Sequence, residues 1–181
     1  MPHYLFTSER LGFRNWTEND VTEFAQLNAD KNVMKHFPKT LSREETEQAI
    51  KRYQNCFTER NYTYFACDLL ENNEFIGFIG LAYQDFESDF TPATDIGWRL
   101  KKSAWGKGFA TEGAKRCLAY AFNELNLDRI IATCTLDNSS SENVMKKIGM
   151  VKKGTFDHPK LTAYPSHQKC IWYEIKNKQH D

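Results

Sequence analysis

A long amphipathic helix directly after a glycine-rich turn is the feature that most limits how this chain can fold. Apolar residues recur in steps of four, four, three and four, at Ala110, Ala114, Leu118, Ala121 and Leu125. This spacing puts them on one face of a helix, which we predict over residues 108–125. The helix needs a flat apolar partner, and strand-like segments precede and follow it. The region therefore predicts a strand–turn–helix–strand unit of an α/β sheet.

The rest of the chain supplies further strands and helices in a mixed order. Thr17 offers one helix start, and Ser42 with Glu45 forms a capping box at another. Meandering strands come first and βαβα units later, which predicts a mixed α/β sheet rather than a purely parallel one. The predicted strands are 4–14, 64–70, 75–82, 94–100, 130–135, 151–155 and 169–175, and the predicted helices are 17–29, 42–57, 108–125 and 139–148.

Length and charge narrow the class of protein. The 181 residues fit one domain, which we assign to residues 1–181. Lys and Arg together number 24, as do Asp and Glu, and this balance argues against nucleic acid as the main partner. No apolar run approaches the ~20 residues that span a membrane. Residues 1–4 do not begin a signal peptide, so we expect a cytoplasmic protein without membrane contact.

The cysteines and histidines do not form a metal-binding pattern. No CxxC, HxxxH or HExxH spacing occurs, and the number of cysteines is odd. We therefore expect buried free thiols and no metal site. The cysteines are Cys56, Cys67, Cys117, Cys134 and Cys170.

The turn before the long helix contains the segment 105–112, Trp-Gly-Lys-Gly-Phe-Ala-Thr-Glu. Its glycines permit close backbone approach, and the helix start offers free N–H groups and a positive dipole end. Together these features suit a pyrophosphate. A P-loop is excluded because Gly108 follows Lys107, and a dinucleotide-binding GxGxxG is disfavoured because Thr111 stands at the third glycine. A tight turn without a ligand is the structural alternative.

Three segments of the chain resemble GNAT superfamily N-acetyltransferases, in particular the RimJ/RimL-like branch. The first is Thr7-x-x-Arg10-Leu11-x-Phe13-Arg14. The second joins 95–100 to 105–112, in which Gly108-x-Ala110 fits the second half of the coenzyme A pyrophosphate loop Q/R-x-x-G-x-G/A. The third is 137–150. The resemblance covers nearly the whole chain and implies the GNAT fold, a strongly twisted sheet of about six or seven strands flanked by about four helices.

The resemblance also implies where acetyl-CoA binds. The cosubstrate would lie in a V between two splayed parallel strands, 94–100 and 130–135. Backbone groups of Trp98, Arg99 and Leu100 would pair with its pantetheine arm. Lys101, Lys102 or Lys107 could approach the phosphates, with a solvated surface as the alternative for each. The pyrophosphate would be held by the N–H groups of Gly106, Lys107, Gly108, Phe109, Ala110 and Thr111.

Asn138 and Ser141 match an N-x-x-S element of the RimL-like branch. This match implies that Asn138 binds the pantetheine and that Ser141 lies near the thioester sulfur, although a helix N-cap is an alternative role for Asn138. The chain departs from the family pattern at Trp105, where Gln or Arg is usual. It also departs at Met145, where many relatives have a Tyr that protonates the leaving thiolate. A thioether cannot donate a proton, so Ser141 or water becomes the candidate donor.

Two residues are candidates for the general base. Asp95 opens the central strand, where several GNAT enzymes carry an acidic base; its alternative is a solvent-facing strand residue. His158 follows the last long helix, and its ordinary pKa near 6.5 suits proton transfer. Its alternative is a loop histidine without catalytic function, and His167 and Tyr164 are weaker candidates.

The implied reaction is direct attack of a neutral primary amine on the thioester of acetyl-CoA, without a metal. The acceptor is either a protein N-terminus, as for ribosomal-protein acetyltransferases, or a small-molecule amine. The helices from 17 to 57 would wall the acceptor site. Candidates to line it are Trp16, Phe37, Tyr83 and Phe86, with core packing as the alternative for each. A non-catalytic coenzyme A-binding module is the competing hypothesis, and assembly as a homodimer is left open.

Overall fold

The computed structural model describes residues 3–177, so the ends of the predicted single domain, 1–181, lie outside the described residues. The helices are α1 (Val21–Ala29), α2 (Arg43–Arg60), α3 (Phe109–Asn123), α4 (Ser139–Lys147) and α5 (Pro165–Gln168). The strands are β1 (Phe6–Thr7), β2 (Leu11–Arg14), β3 (Tyr64–Leu69), β4 (Phe75–Gln84), β5 (Ala93–Leu100), β6 (Arg129–Thr135), β7 (Val151–Asp157) and β8 (Lys169–Lys176). They form one sheet in the order β1-β2-β3-β4-β5-β6-β8-β7. The predicted mixed α/β class is confirmed.

The N-terminal segment differs from its prediction. We predicted one strand over 4–14, whereas the structure has a hairpin of β1 and β2 in which Phe6 pairs with Phe13. Ser8 stabilises the turn, because its N–H donates to the Leu11 carbonyl at 2.9 Å and its hydroxyl accepts from the Leu11 N–H at 3.3 Å. This hairpin raises the strand number to eight, above the predicted six or seven. The four-residue α5 likewise adds a fifth helix to the predicted four.

Helix α3 packs unusually close to one face of the sheet because Gly113 faces the strands. A Cβ atom at Gly113 would lie only 2.3 Å from Ile79 Cδ1 and 3.3 Å from Leu11 Cδ1. Glycine therefore allows the helix backbone to approach β2 and β4 directly. The apolar face predicted from the sequence makes this contact, and Ala114 and Leu118 are buried there. The contact fixes where the amino end of α3 lies relative to β5.

The opposite face of the sheet is covered by α1 and α2. Trp16 packs against Phe24 of α1 with ring centroids 4.6 Å apart, and Phe24 lies 6.1 Å from Phe78 of β4. Helix α2 begins at the predicted capping box, in which the Ser42 hydroxyl accepts from the Glu45 N–H at 3.2 Å. The two faces of the sheet thus carry separate cores, with α3 on one side and the α1–α2 pair on the other.

Strands β5 and β6 are the parallel neighbours within the described sheet, and they diverge. Their register contains a single pair, Asp95 with Ile131, and each of these is the third residue of its strand. All other neighbouring strands are antiparallel. Beyond the one pair, the strands separate toward their carboxyl ends and leave the facing backbone of β5 unpaired. The predicted splay between 94–100 and 130–135 is confirmed.

The fold of residues 3–177 contains no helix with the length and apolar character needed to cross a bilayer.

Candidate active site

A cleft of about 200 Å³ lies where β5 and β6 diverge. The two strands form its base, the start of α4 forms one wall, and the chain between α1 and α2 reaches over the opposite side. The structure brings five of the predicted site residues together around this space. They are Asp95, Trp98, Arg99, Asn138 and Ser141.

Asp95 is a buried carboxylate inside the cleft, with only 8% of its surface exposed. The Tyr64 hydroxyl lies 2.8 and 3.0 Å from its two oxygens, and Gln84 Nε2 donates at 3.1 Å. Burial raises the pKa of Asp95 to about 7, although the hydrogen bonds from Tyr64 and Gln84 oppose this shift. The carboxyl group can therefore take up and release a proton near neutral pH. The alternative of a solvent-facing strand residue is wrong.

Arg99 contributes its side chain to the cleft, in addition to the backbone role predicted for it. Its Nη1 donates to Asn28 Oδ1 of α1 at 2.7 Å. Its guanidinium carbon lies 4.1 Å from the centroid of the Phe37 ring and 5.3 Å from that of Phe78. Burial lowers the pKa of the guanidinium, and its buried Nε has no hydrogen-bond partner. The sequence signal for this side chain was the alternation of β5, which puts Asp95 and Arg99 on one face.

The amino end of α4 forms the wall opposite Arg99. Asn138 is the N-cap, and its Oδ1 accepts from the Ser141 N–H at 3.2 Å. Asn138 thus has the N-cap role that the sequence analysis gave as its alternative. The same hydrogen bond fixes the position of Ser141 at the cleft. No hydrogen bond of the Ser141 hydroxyl occurs among residues 3–177, so it is available to a ligand. Met145 is buried one turn further along and also lines the cleft.

The glycine loop that follows β5 has the backbone geometry of an anion site. Gly106 and Gly108 adopt left-handed conformations, with φ of 72° and 82°. The first helical hydrogen bond of α3 is donated by the Glu112 N–H to the Gly108 carbonyl at 3.0 Å. The N–H groups of residues 108–111 consequently have no acceptor within the helix, as expected for its first turn. A Cβ at Gly106 would meet no atom within 4 Å, which leaves the loop open to a ligand.

Two side chains fasten this loop in place. Arg10 Nη1 donates to the Lys107 carbonyl at 3.1 Å, and its Nε and Nη2 both lie 2.7 Å from Glu112 Oε2. Partial burial tends to raise the pKa of Glu112, but hydrogen bonds from Ser8 and Arg10 leave it below its ordinary value. The Trp105 indole donates to the Leu100 carbonyl at 2.9 Å. Arg10 belongs to the first of the three family-like segments. The sequence did not reveal that it holds the loop, because its contacts join positions about 100 residues apart.

The remaining predicted site residues lie outside the lining of the cleft. Leu100 and the residues 106–111 continue from its end, at the carboxyl end of β5. His158 lies apart, with its ring 4.5 Å from Phe86 and its Nδ1 accepting from the Lys160 N–H at 3.2 Å. Burial and the neighbouring Lys160 lower the pKa of His158. The structure thus places Asp95, and not His158, beside the other candidates.

The aromatic residues proposed for the acceptor wall have different surroundings. Phe37 lines the cleft, whereas Trp16 and Phe86 are buried in core clusters. Tyr83 is 39% exposed and carries the Arg60 guanidinium over its ring. Sequence reasoning missed other cleft residues, because tertiary packing alone brings them there. They include His36, Tyr53, Tyr64, Phe78 and Thr135.

The cysteine thiols do not supply a reactive nucleophile in the cleft. All five cysteines are free, as predicted. Cys134 lines the cleft, but burial raises its pKa to about 12, so the thiol stays protonated at neutral pH. Residues 3–177 contain no group of three or more His, Cys, Asp or Glu side chains suited to a metal ion. The Asp95 carboxylate is the group in the cleft best placed for proton transfer.

Known proteins match this architecture over most of the chain. The family model for the acetyltransferase (GNAT) domain matches residues 10–151. The uncharacterized N-acetyltransferase YnaD of Bacillus subtilis is 35% identical over 150 residues, which are 83% of this chain and 84% of YnaD. A GNAT-family acetyltransferase structure from Bacillus anthracis has 28% identity and a TM-score of 0.77, with coverage of 95% of this chain and 98% of that one.

A solved structure with bound ligands shares the fold at lower identity. Spermidine N-acetyltransferase from Vibrio cholerae, in complex with CoA and spermine, has 19% identity and a TM-score of 0.71, covering 94% of this chain and 97% of that one. The sheet with its diverging parallel strands, the glycine loop at the start of α3 and the family match agree with one another. The chain therefore belongs to the GNAT acetyltransferase family and is an acyl-CoA-dependent N-acetyltransferase.

Proposed function

We propose that this protein transfers an acetyl group from acetyl-CoA to a primary amine within the cleft between β5 and β6. The observation that carries the proposal is the position of Asp95. This buried carboxyl group has a pKa of about 7 and lies in the opening between two diverging strands. The free N–H groups at the start of α3 follow the other end of β5. A proton acceptor and an anion site thus lie near the two ends of one strand.

The acetyl-CoA site follows from the unpaired backbone. The pantetheine arm would pair with β5 at Trp98, Arg99 and Leu100, as an added strand does, because β6 no longer occupies that side. The pyrophosphate would accept from the N–H groups of residues 106–111, where the helix dipole also favours an anion. Asn138 and Ser141 would contact the end of the pantetheine from α4. The donor types therefore match an amide-bearing arm ending in a diphosphate.

The reaction needs a base, a site that stabilises the oxyanion and a proton donor for the leaving thiolate. A neutral amine attacks the thioester carbonyl, and Asp95 accepts the amine proton, directly or through water. Unpaired N–H groups of β5 stabilise the oxyanion of the tetrahedral intermediate. The carbon–sulfur bond then breaks, and the Ser141 hydroxyl or water protonates the thiolate. No enzyme nucleophile takes part, which agrees with the protonated state of Cys134.

We propose that the acceptor is a primary amine, without naming the compound. A protein N-terminus and a small-molecule amine both present the required primary amine, and the assignment to the RimJ/RimL-like branch rests on the three sequence motifs. We also propose that the 181 residues form a single domain that acts in the cytoplasm. Light scattering would show whether the protein forms a homodimer. His158 remains a second candidate base, but its position against Phe86 gives it less support.

Calorimetric titration with acetyl-CoA, followed by a thiol-release assay, tests the proposal. The acceptor panel contains N-terminal peptides, polyamines and aminoglycosides. We expect micromolar binding and transfer to at least one class, with kcat/KM rising through an inflection near pH 7. Binding without transfer to any amine would favour the non-catalytic coenzyme A-binding module. That hypothesis is based on the departures from the family pattern at Trp105 and Met145. A folded protein that does not bind acetyl-CoA would disprove the site.

A further inference from the structure

The Arg99 side chain is a partly buried cation without a balancing anion, and its Nε atom is fully buried. Within residues 3–177, no carboxylate lies within ion-pairing distance of its guanidinium. Its contacts are one hydrogen bond to the neutral Asn28 amide and two aromatic faces, those of Phe37 and Phe78. Burial of an unpaired charge is unfavourable, and cation–π contacts compensate only part of this cost. The cleft therefore holds a positive charge whose partner is not supplied by the protein.

At the proposed site, the phosphates of coenzyme A would lie on the wrong side of the sheet to be that partner. Trp98 and Leu100, which flank Arg99, pack against the core shared with Phe109 at the start of α3. Arg99 alternates to the opposite face, where it contacts Asn28 of α1. The glycine loop, and any anion that it binds, belong to the α3 face, so the guanidinium faces the acceptor side of the cleft.

Arg99 and Asp95 share this acceptor side. They are four residues apart on the same face of β5, which separates their Cα atoms by about 13 Å. Both residues line the same cleft. One end of the cleft thus offers a proton acceptor for an amine, and the other offers a free guanidinium with donors in a fixed fork.

We propose that the acceptor carries a carboxylate that binds Arg99 while its amine reacts beside Asp95. The spacing favours an amine and a carboxylate separated by several bonds, as in an ω-amino acid or a dipeptide with a free C-terminus. This inference rests on the proposed acetyl transfer in the same cleft. It adds the class of substrate, which is an amino carboxylate rather than a polyamine.

Matched pairs of acceptors test the inference in the thiol-release assay. 5-Aminopentanoate is compared with 5-aminopentanamide, and a dipeptide with its C-terminal amide. We expect kcat/KM to favour the carboxylate at least about tenfold, the effect of one charge-assisted hydrogen bond. Arg99→Met keeps an unbranched side chain but removes the charge and should abolish the preference, whereas Arg99→Lys should retain part of it. Lys51→Met removes an exposed charge from α2 and should change nothing.

A binding measurement gives an answer that does not depend on turnover. The wild-type protein saturated with CoA is titrated with 5-acetamidopentanoate and with its amide, which are the reaction product and a neutral analogue. Tighter binding of the carboxylate supports the inference. Equal binding, or a preference that persists in a folded Arg99→Met variant, overturns it. If carboxylate and amide are acetylated equally well, only the acceptor class is wrong, whereas transfer to no amine would contradict the proposed function itself.

Discussion

Asp95→Asn should stabilise the protein while it removes activity, because the carboxyl group is kept in a site that disfavours its charge. The pKa of Asp95 is about 7 in the folded protein, against about 3.9 for an exposed aspartate. Between these two pH values the folded state holds a proton that the unfolded state has released. Stability from this group is therefore complete below about pH 4 and is lost as the pH rises through 7.

The size of the effect follows from the same two pKa values. A difference of about three pH units corresponds to about 4 kcal/mol, an upper estimate for one buried carboxyl group. Asn has no charge to lose, and its amide can still pair with Tyr64 and Gln84, which contact Asp95 here. The free energy of unfolding of Asp95→Asn minus that of the wild type should thus grow by about 1.4 kcal/mol per pH unit and level off above pH 7.

Urea unfolding followed by circular dichroism, at pH values from about 4 to 9, measures this difference directly. Activity is measured in parallel, and kcat/KM should fall at least about 100-fold if Asp95 is the base. Asp137→Asn is the matched control, because Asp137 is 71% exposed and hydrogen bonding from Thr135 lowers its pKa. A stability difference that does not change with pH would refute the buried-carboxylate reasoning. Unchanged kcat/KM would refute the catalytic role alone.

Three further predictions concern the loop, the donor and the packing of α3. Gly108→Asp should weaken coenzyme A binding strongly, because a carboxylate would face the pyrophosphate and because the φ of 82° at this position disfavours a residue with a Cβ. Unchanged affinity by calorimetry would contradict the loop assignment. Ser141→Ala should lower kcat more than acetyl-CoA affinity if its hydroxyl protonates the thiolate, and steady-state kinetics showing a KM effect alone would limit Ser141 to binding. Gly113→Ala should destabilise the fold by about 1–3 kcal/mol, because its Cβ would lie 2.3 Å from Ile79 Cδ1. Thermal unfolding checks this, with Gly154→Ala as a control whose Cβ would meet no atom closer than 3.8 Å.

Local patterns were sufficient for most of the secondary structure. The α3 prediction, 108–125, differs from Phe109–Asn123 by one residue at the start and two at the end, because a regular apolar period and a preceding glycine define a helix locally. The capping box at Ser42 and Glu45 was equally visible. The hairpin at residues 6–14 was missed, since the turn at Ser8 has no Gly or Pro to mark it. A short helix such as α5 has too few residues to show a period.

The candidate site was only partly visible in the sequence. Its motifs identified Asp95, Asn138 and Ser141, and the structure brings all three to one cleft. The sequence could not show that Asp95 is buried, which depends on Tyr64 and Gln84 packing over it from neighbouring strands. Its shifted pKa is therefore a property of the tertiary structure.

The sequence by itself determined the family, the strand–loop–helix unit and the residues with suitable chemistry, because these depend on neighbours in the chain. Tertiary structure decided what these residues can do. The divergence of β5 from β6 opens the cleft, and the α1–α2 face leaves the Arg99 guanidinium partly buried without an anion. Charge and burial at a site depend on groups far apart in the chain, such as Asn28 and Arg99, and only the folded arrangement sets their distances.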